Sequence, residues 1–166
     1  MEKDVNKCVY PGSFDPITCG HLAIIERAVA MFDTVIVAVL VNSNKKPAFS
    51  VEQRMEYIRQ STAHLPGIRV DSFEGLLVDY MKKQDANLII RGLRAISDFE
   101  YEFQIAAMNA KLSRNVETIF LMTDISYSFL SSSLVKELVC HGGDITGLVP
   151  KEIKDSIIKN YGKGNI

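Results

Sequence analysis

The chain of 166 residues lacks a surplus of charge of either sign. Nineteen Lys and Arg stand against twenty Asp and Glu, a net charge of −1. That balance argues against a broad electrostatic surface for DNA, RNA or anionic lipid, so no nucleic-acid or membrane partner is expected and any positive field must be local. Cysteine is scarce: Cys8, Cys19 and Cys140 form no C-x-x-C pair and no metal-ligand spacing. An odd, patternless set suits a reducing compartment. No apolar run approaches the roughly 18 residues needed to span a bilayer. The first residues, Met1-Glu2-Lys3-Asp4, do not read as a signal peptide. A cytoplasmic protein is expected. Three catalytic signatures are also missing: G-x-x-x-x-G-K-[ST], G-x-G-x-x-G and G-x-S-x-G. So are His, Cys and carboxylate clusters of metal-binding spacing, and no residue is assigned as a metal ligand.

What is present is an ordinary globular composition, 47% apolar and 23% charged. The length suits a single domain over 1–166, with a frayed tail from about 162. Strand and helix patterns alternate. Val9-Tyr10 leads into a turn-rich loop and a helix with Leu22, Ile25, Val29 and Phe32 on one face. Val35 to Val41 is a β-branched run, as in a parallel strand covered on both faces. Ser50 and Gln53 form a capping box for a helix to about Ala63. Pro66-Gly67 turns into a strand from Ile68 to Phe73, and a helix over 75–84 turns Leu76, Leu77, Tyr80 and Met81 inward. Asn87 to Ile90 reads as a fourth strand, running into Arg91-Gly92-Leu93-Arg94. Ser97 and Glu100 read as a second capping box, opening a helix to about Leu112. That helix is apolar on two faces, one with Phe99 and Phe103, the other with Tyr101, Ile105, Met108 and Leu112. It is covered either by another subunit or by depth within one chain. Thr118 to Met122 reads as the fifth strand, with helices from Leu134 and, after Pro150, a last one. Gly142-Gly143 reads as a C-cap. The expected fold is α/β: a Rossmann-like, doubly wound, five-stranded parallel sheet flanked by helices.

In such sheets ligands sit at the carboxyl ends of the strands, where the strand order reverses. Four polar segments follow strands here: the Gly12 to His21 loop, Asn42 to Lys46, Arg91 to Arg94, and Ser126 to Ser133. The first reads Tyr10-Pro11-Gly12-Ser13-Phe14-Asp15-Pro16-Ile17-Thr18-Cys19-Gly20-His21. It reads either as an anion cradle at a helix start, with Gly12 and Gly20 making room for phosphates, or as a plain turn. Lys45, Arg91, Arg94 and His21 add a local positive field suited to phosphate-bearing substrates. Ser131-Ser132-Ser133 offers hydroxyls and backbone N–H groups at a further helix start. Other polar residues read as structural: His64 and His141 near helix ends, Lys46 in solvent, Cys8 in the core, Asp98 and Glu100 as first-turn acids. Asp15 is expected to bond its own loop backbone.

These segments resemble a known family. Tyr10 to Pro16 followed by Thr18-Cys19-Gly20-His21 is similar to the T/H-x-G-H signature of the nucleotidyltransferase superfamily. Arg91-Gly92-Leu93-Arg94 with Asp98-Phe99-Glu100-Tyr101-Glu102, and Ser131 to Glu137, resemble the bacterial phosphopantetheine adenylyltransferases. The resemblance implies transfer of AMP from ATP to 4′-phosphopantetheine, giving dephospho-coenzyme A and pyrophosphate. It implies an ATP site of Ser13, Phe14, His21, Gly92, Leu93, Arg94, Glu102, Tyr127, Ser128, Phe129, Leu130, Ser131, Ser132 and Ser133. It implies that Ser13, Lys45, Leu77 and Arg91 hold phosphopantetheine, and that His21, Lys45 and Arg91 are catalytic. It also implies Mg2+ carried on the nucleotide and a homohexamer, and leaves open whether coenzyme A feeds back on the site. The chain departs from the family at Ser13 (often Thr), Cys19 (often Asn, beside the phosphates) and Tyr127 (often Trp).

The chemistry expected from this assignment needs no general base. The attacking group is a phosphate with a second pKa near 6. The protein would hold two anions in line, with His21 on the α-phosphate and Lys45 between it and the nucleophile. The rival within the superfamily is a nicotinate mononucleotide adenylyltransferase, which shares Gly-x-Phe-Asp-Pro but usually carries His where Thr18 stands. From another class, the rival is a non-catalytic nucleotide-binding module.

Overall fold

A computed structural model describes residues 6–42 and 46–162, apart from the side chains of 96 and 97. The β-branched run forms β2 (Thr34–Val41), paired in parallel with β1 (Lys7–Gly12) and β3 (Ile68–Glu74). On the other side of β1 lie β4 (Leu88–Leu93) and β5 (Glu117–Met122), so the sheet order is β3-β2-β1-β4-β5, all parallel. The expected five-stranded doubly wound sheet is what forms. Side chains alternate between faces along each strand. Cys8, Tyr10, Val35, Val37 and Ile90 enter the larger core cluster, while Val9, Ile36, Ala38 and Ile89 enter the smaller one.

Helices α1 (Cys19–Val29), α2 (Val51–Thr62), α5 (Ser132–Cys140) and α6 (Lys151–Tyr161) cover the larger cluster. Helix α3 (Leu77–Lys83) covers the smaller one, and α4 (Ile96–Leu112) packs beside it on β4 and β5. Ser50 and Gln53 make the expected capping box on α2. Gly142 closes α5 with φ +70°, and the N–H groups of Gly142 and Gly143 donate to Val139 and Leu138, a Schellman motif. Gly67 has φ +70°, and a Cβ there would lie 2.4 Å from the Asp33 carbonyl oxygen. Only glycine fits that turn.

Several boundaries differ from the sequence pattern. Helix α1 starts at Cys19, within the turn-rich loop motif, and buries Gly20, Ile24, Ile25 and Ala28 in place of the expected Leu22, Ile25, Val29 and Phe32 line. Strand β4 continues through Leu93, so Arg91 and Gly92 sit on the strand rather than in a loop. Helix α4 is capped at Ala95, which puts Ser97 inside the first turn instead of at the cap. Leu76 precedes α3 at its cap and is exposed rather than inward. Helix α4 is not deep within the chain: Phe99, Tyr101, Phe103, Met108 and Leu112 are 44–65% exposed. Burial within the monomer is therefore ruled out as the reason for its apolar faces. Among the described residues, no helix is long and apolar enough to cross a membrane.

Candidate active site

The strand order reverses between β1 and β4, and their carboxyl ends open onto a cavity of about 340 Å³. Among the described residues, its walls come from every expected direction except the β2 side. The β1 end gives Tyr10 to Phe14, and the start of α1 gives Thr18, Gly20 and His21. Arg91, Gly92 and Arg94 come from β4 and its exit, Asp98 and Glu102 from α4, Thr123 from beyond β5, and Leu130 to Ser132 from the entry to α5. The amino termini of α1 and α5 both border this space, adding two positive dipole ends to two arginines.

Thr18 caps α1 with its hydroxyl, accepting from the His21 N–H, and His21 stands where a capping box usually has Glu or Gln. The Thr18 N–H donates to His21 Nδ1 at 3.0 Å. A backbone N–H only donates, so Nδ1 carries a lone pair and the ring proton sits on Nε2. Burial, and then the charges of Arg94 and Arg91, lower the His21 pKa to about 4. At neutral pH the imidazole is an uncharged donor. Beneath it lies Phe14, whose ring is edge-on to His21 at 5.1 Å and to Tyr10 at 5.4 Å. Phe14 is 2% exposed and has φ 47°, a left-handed conformation that costs energy in a non-glycine residue. The space left by Gly12 belongs to this ring, 3.0 Å from where a Cβ would stand, so Gly12 makes room for Phe14 and not for a phosphate. Gly20 likewise abuts Tyr127 and Thr123.

Both arginines are held by α4. The guanidinium of Arg91 forks onto Glu102, with Nη2 2.7 Å from Oε1, and donates from Nη1 to the Pro11 carbonyl at 3.0 Å. Arg94 donates to Asp98 at 3.0 Å and to the Leu130 carbonyl at 2.9 Å. Such pairing fixes the donors but leaves some of their N–H groups for a ligand. Asp98 is thus more than a first-turn acid. At α5, Ser131 caps the helix by accepting from the Leu134 N–H, so the helix opens at Ser132, two residues before the expected Leu134. Ser132 donates to the Pro16 carbonyl at 2.7 Å. Two of the three serine hydroxyls therefore hold the scaffold, and the helix start contributes chiefly through its backbone.

Of the residues implied for the site, Ser13, Phe14, His21, Arg91, Gly92, Arg94, Glu102, Leu130, Ser131 and Ser132 line the cavity. Leu93 is buried in β4, Tyr127 packs half-buried on the core, and Ser128, Phe129 and Ser133 are exposed outside the lining. Leu77 packs against the smaller cluster and is also outside it. Lys45 lies outside the described residues. Cys19 packs against the larger core rather than into the cavity, and burial followed by the Glu152 and Glu26 charges raises its thiol pKa. His64 lies at the surface near Glu26, Lys46 is exposed, and burial pushes the Cys8 thiol to about 12, as their structural roles require. Asp98, read from the sequence as a first-turn acid close to the site, and Thr123, which no motif covers, also line the cavity; for Asp98 the four-residue spacing from Arg94 is a further signal. Among the described residues no group of three or more His, Cys, Asp or Glu comes together as a metal site.

The chain matches the cytidylyltransferase-like family model over residues 9–138. It is 57% identical over 155 residues to a phosphopantetheine adenylyltransferase of Clostridium novyi, covering 93% of this chain and 96% of the relative. The corresponding enzymes of Moorella thermoacetica and Heliobacterium modesticaldum are 54% and 53% identical over 154 residues, with 93% of this chain and 96% and 92% of theirs covered. The chain belongs to the phosphopantetheine adenylyltransferase family. This family member also shares its fold with more distant solved structures. One, from Vibrio parahaemolyticus, was solved as a nicotinate-nucleotide adenylyltransferase, with a TM-score of 0.72 at 14% identity over 95% of this chain and 96% of that one. The nicotinic acid mononucleotide adenylyltransferase of Plasmodium falciparum, in complex with NaAD, gives 0.69 at 17% identity over 93% and 95%. At those identities the likeness is one of fold.

Proposed function

We propose that the chain transfers the adenylyl group of ATP to 4′-phosphopantetheine, forming dephospho-coenzyme A and releasing pyrophosphate. The observation that carries this reading is the state of His21 within a ring of donors. Its Nδ1 is occupied by the Thr18 N–H, so the imidazole presents one proton, on Nε2, and no free lone pair. It is built to donate and not to take up a proton. A hydroxyl nucleophile would need a base, whereas a phosphate with a second pKa near 6 is already ionised at pH 7. The reaction then depends on aligning two anions and spreading the charge that develops between them.

In this reading, Ser13, Phe14, His21, Gly92, Leu93, Arg94, Glu102 and the segment from Tyr127 to Ser133 serve ATP. Ser13, Lys45, Leu77 and Arg91 serve phosphopantetheine, with His21, Lys45 and Arg91 nearest the chemistry. Phe14 acts from behind, as the support of His21. The lining carboxylates Asp98 and Glu102 are both bound to arginines and offer no cage for a divalent ion. Mg2+ would be carried on the nucleotide's phosphates. Coenzyme A, which contains both product halves, is a candidate feedback ligand of the same cavity. The exposed apolar face of α4 supports assembly as a homohexamer, and three free thiols suit a cytoplasmic location. The test is pyrophosphate release from ATP with phosphopantetheine or with nicotinate mononucleotide as acceptor. Release with the first alone supports the reading. Release with the second alone makes the chain a nicotinate mononucleotide enzyme, and ATP binding with no release makes it a binding module.

A further inference from the structure

Asp15 does not bond its own loop. It is 7% exposed, and its carboxylate accepts from the N–H groups of Phe49 at 2.9 Å and Ala48 at 3.0 Å and from Lys136 Nζ at 2.9 Å. These partners lie 34, 33 and 121 residues along the chain. Ala48 and Phe49 stand between the β2–α2 loop, which carries Lys45, and the cap of α2. Lys136 stands one turn beyond Ser132 on α5. We propose that Asp15 is a positioning residue for adenylyl transfer, clamping the segment that leads into α2 and the first turns of α5 to the β1–α1 loop, whose Ser13 and Phe14 line the cavity.

The surrounding contacts favour a clamp over a general packing role. Asp15 itself does not line the cavity. A carboxylate close behind a phosphate site would repel the ligand unless its charge were met, and Lys136 meets it directly. The residues beside Asp15 are tied in the same sense. Arg54 donates from Nη1 to the Ser13 carbonyl at 2.8 Å, and Ser132 donates to the Pro16 carbonyl at 2.7 Å. Helix α5 is thus joined to the loop at two points one turn apart. A small displacement of the β1–α1 loop or of α5 would change how the bound anions are placed, where misplacement by about 1 Å can cost 10²-fold in rate.

The inference rests on the proposed function, and its test separates the two. Pyrophosphate release is measured for wild type, Lys136→Met, Asp15→Asn and the double variant, with KM for each substrate, and circular dichroism checks folding. Lys136→Met removes one of the two ties of α5 and leaves the Ala48 and Phe49 ties in place, so KM for ATP should rise roughly tenfold while KM for phosphopantetheine stays within about twofold. Asp15→Asn should raise both and lower kcat, and the double variant should be no worse than Asp15→Asn alone. Melting-point loss without a change in either KM, or equal changes in both after Lys136→Met, overturns the clamp. So does tighter ATP binding by Asp15→Asn, which would make Lys136 a phosphate ligand that Asp15 withholds. Should Asp15→Asn fail to fold, Lys136→Met decides, with Lys136→Arg expected to restore KM for ATP. A wild type that releases no pyrophosphate refutes the assigned reaction, whereas an active wild type with unsplit variants refutes the clamp alone.

Discussion

The Thr18 N–H donates to His21 Nδ1 across 3.0 Å, while the His21 N–H donates back to the Thr18 hydroxyl at 3.3 Å. One reciprocal pair starts helix α1, fixes the tautomer of the imidazole and turns its remaining N–H over to the cavity. Folding and chemistry meet in the same two residues.

This pairing makes stability depend on pH in a defined direction. The folded-state pKa of His21, about 4, lies below its ordinary value of 6.5. Between those values the unfolded chain binds a proton that the folded one refuses. The contribution of the neutral ring is complete above pH 6.5 and is lost as pH falls through that range toward 4. Urea denaturation of wild type and His21→Gln from pH 4 to 7.5 should show a loss on acidification that is smaller in the variant. Proton NMR should find the His21 ring titrating near 4; titration near 6.5 would refute the assigned state.

Glu102 holds Arg91 by a fork that a neutral residue cannot reproduce. Glu102→Ala should leave Arg91 charged but unanchored except at Pro11. We expect a fall in kcat/KM of about tenfold or more from the loss of an aligned donor, with KM and kcat measured separately. Glu102→Gln, which keeps one acceptor, should fall between.

The face of α4 bearing Phe99 and Phe103 should be covered by other copies. Introducing a charge, as in Phe103→Glu, should disrupt that contact by placing an unpaired carboxylate at an apolar interface. Light scattering after gel filtration should give six times the 18.5 kDa chain mass for wild type and a shift toward the single-chain mass for the variant.

The sequence disclosed the sheet because its signal is strong and local: Val35 to Val41 has few other ways to fold, and the Ser50–Gln53 box marks a helix start unaided. The start of α1 was harder, since Cys19 and Gly20 are weak helix formers and His21 replaces the usual capping acid or amide. Arg91-Gly92 looked like a loop because polar and glycine residues seldom extend a central strand; here the arginine is held by Pro11 and Glu102. Ten of the site residues that the resemblance implies line the cavity, but the motifs do not say what each side chain does there. Phe14, which the resemblance places at ATP, lines the cavity and at the same time packs beneath His21. Asp15 looked like a turn residue because its partners are remote in sequence, and no local pattern points to residues 33, 34 and 121 positions away.

The most direct test of the account compares His21→Ala with wild type in pyrophosphate release at saturating ATP and phosphopantetheine. The loss of one preorganised donor should lower kcat by about 10²–10³, while circular dichroism shows the fold retained and the lost cap costs only about 1 kcal/mol of stability. Turnover unchanged in a folded His21→Ala protein would contradict the role assigned to His21 and, with it, the mechanism built on its single Nε2 proton.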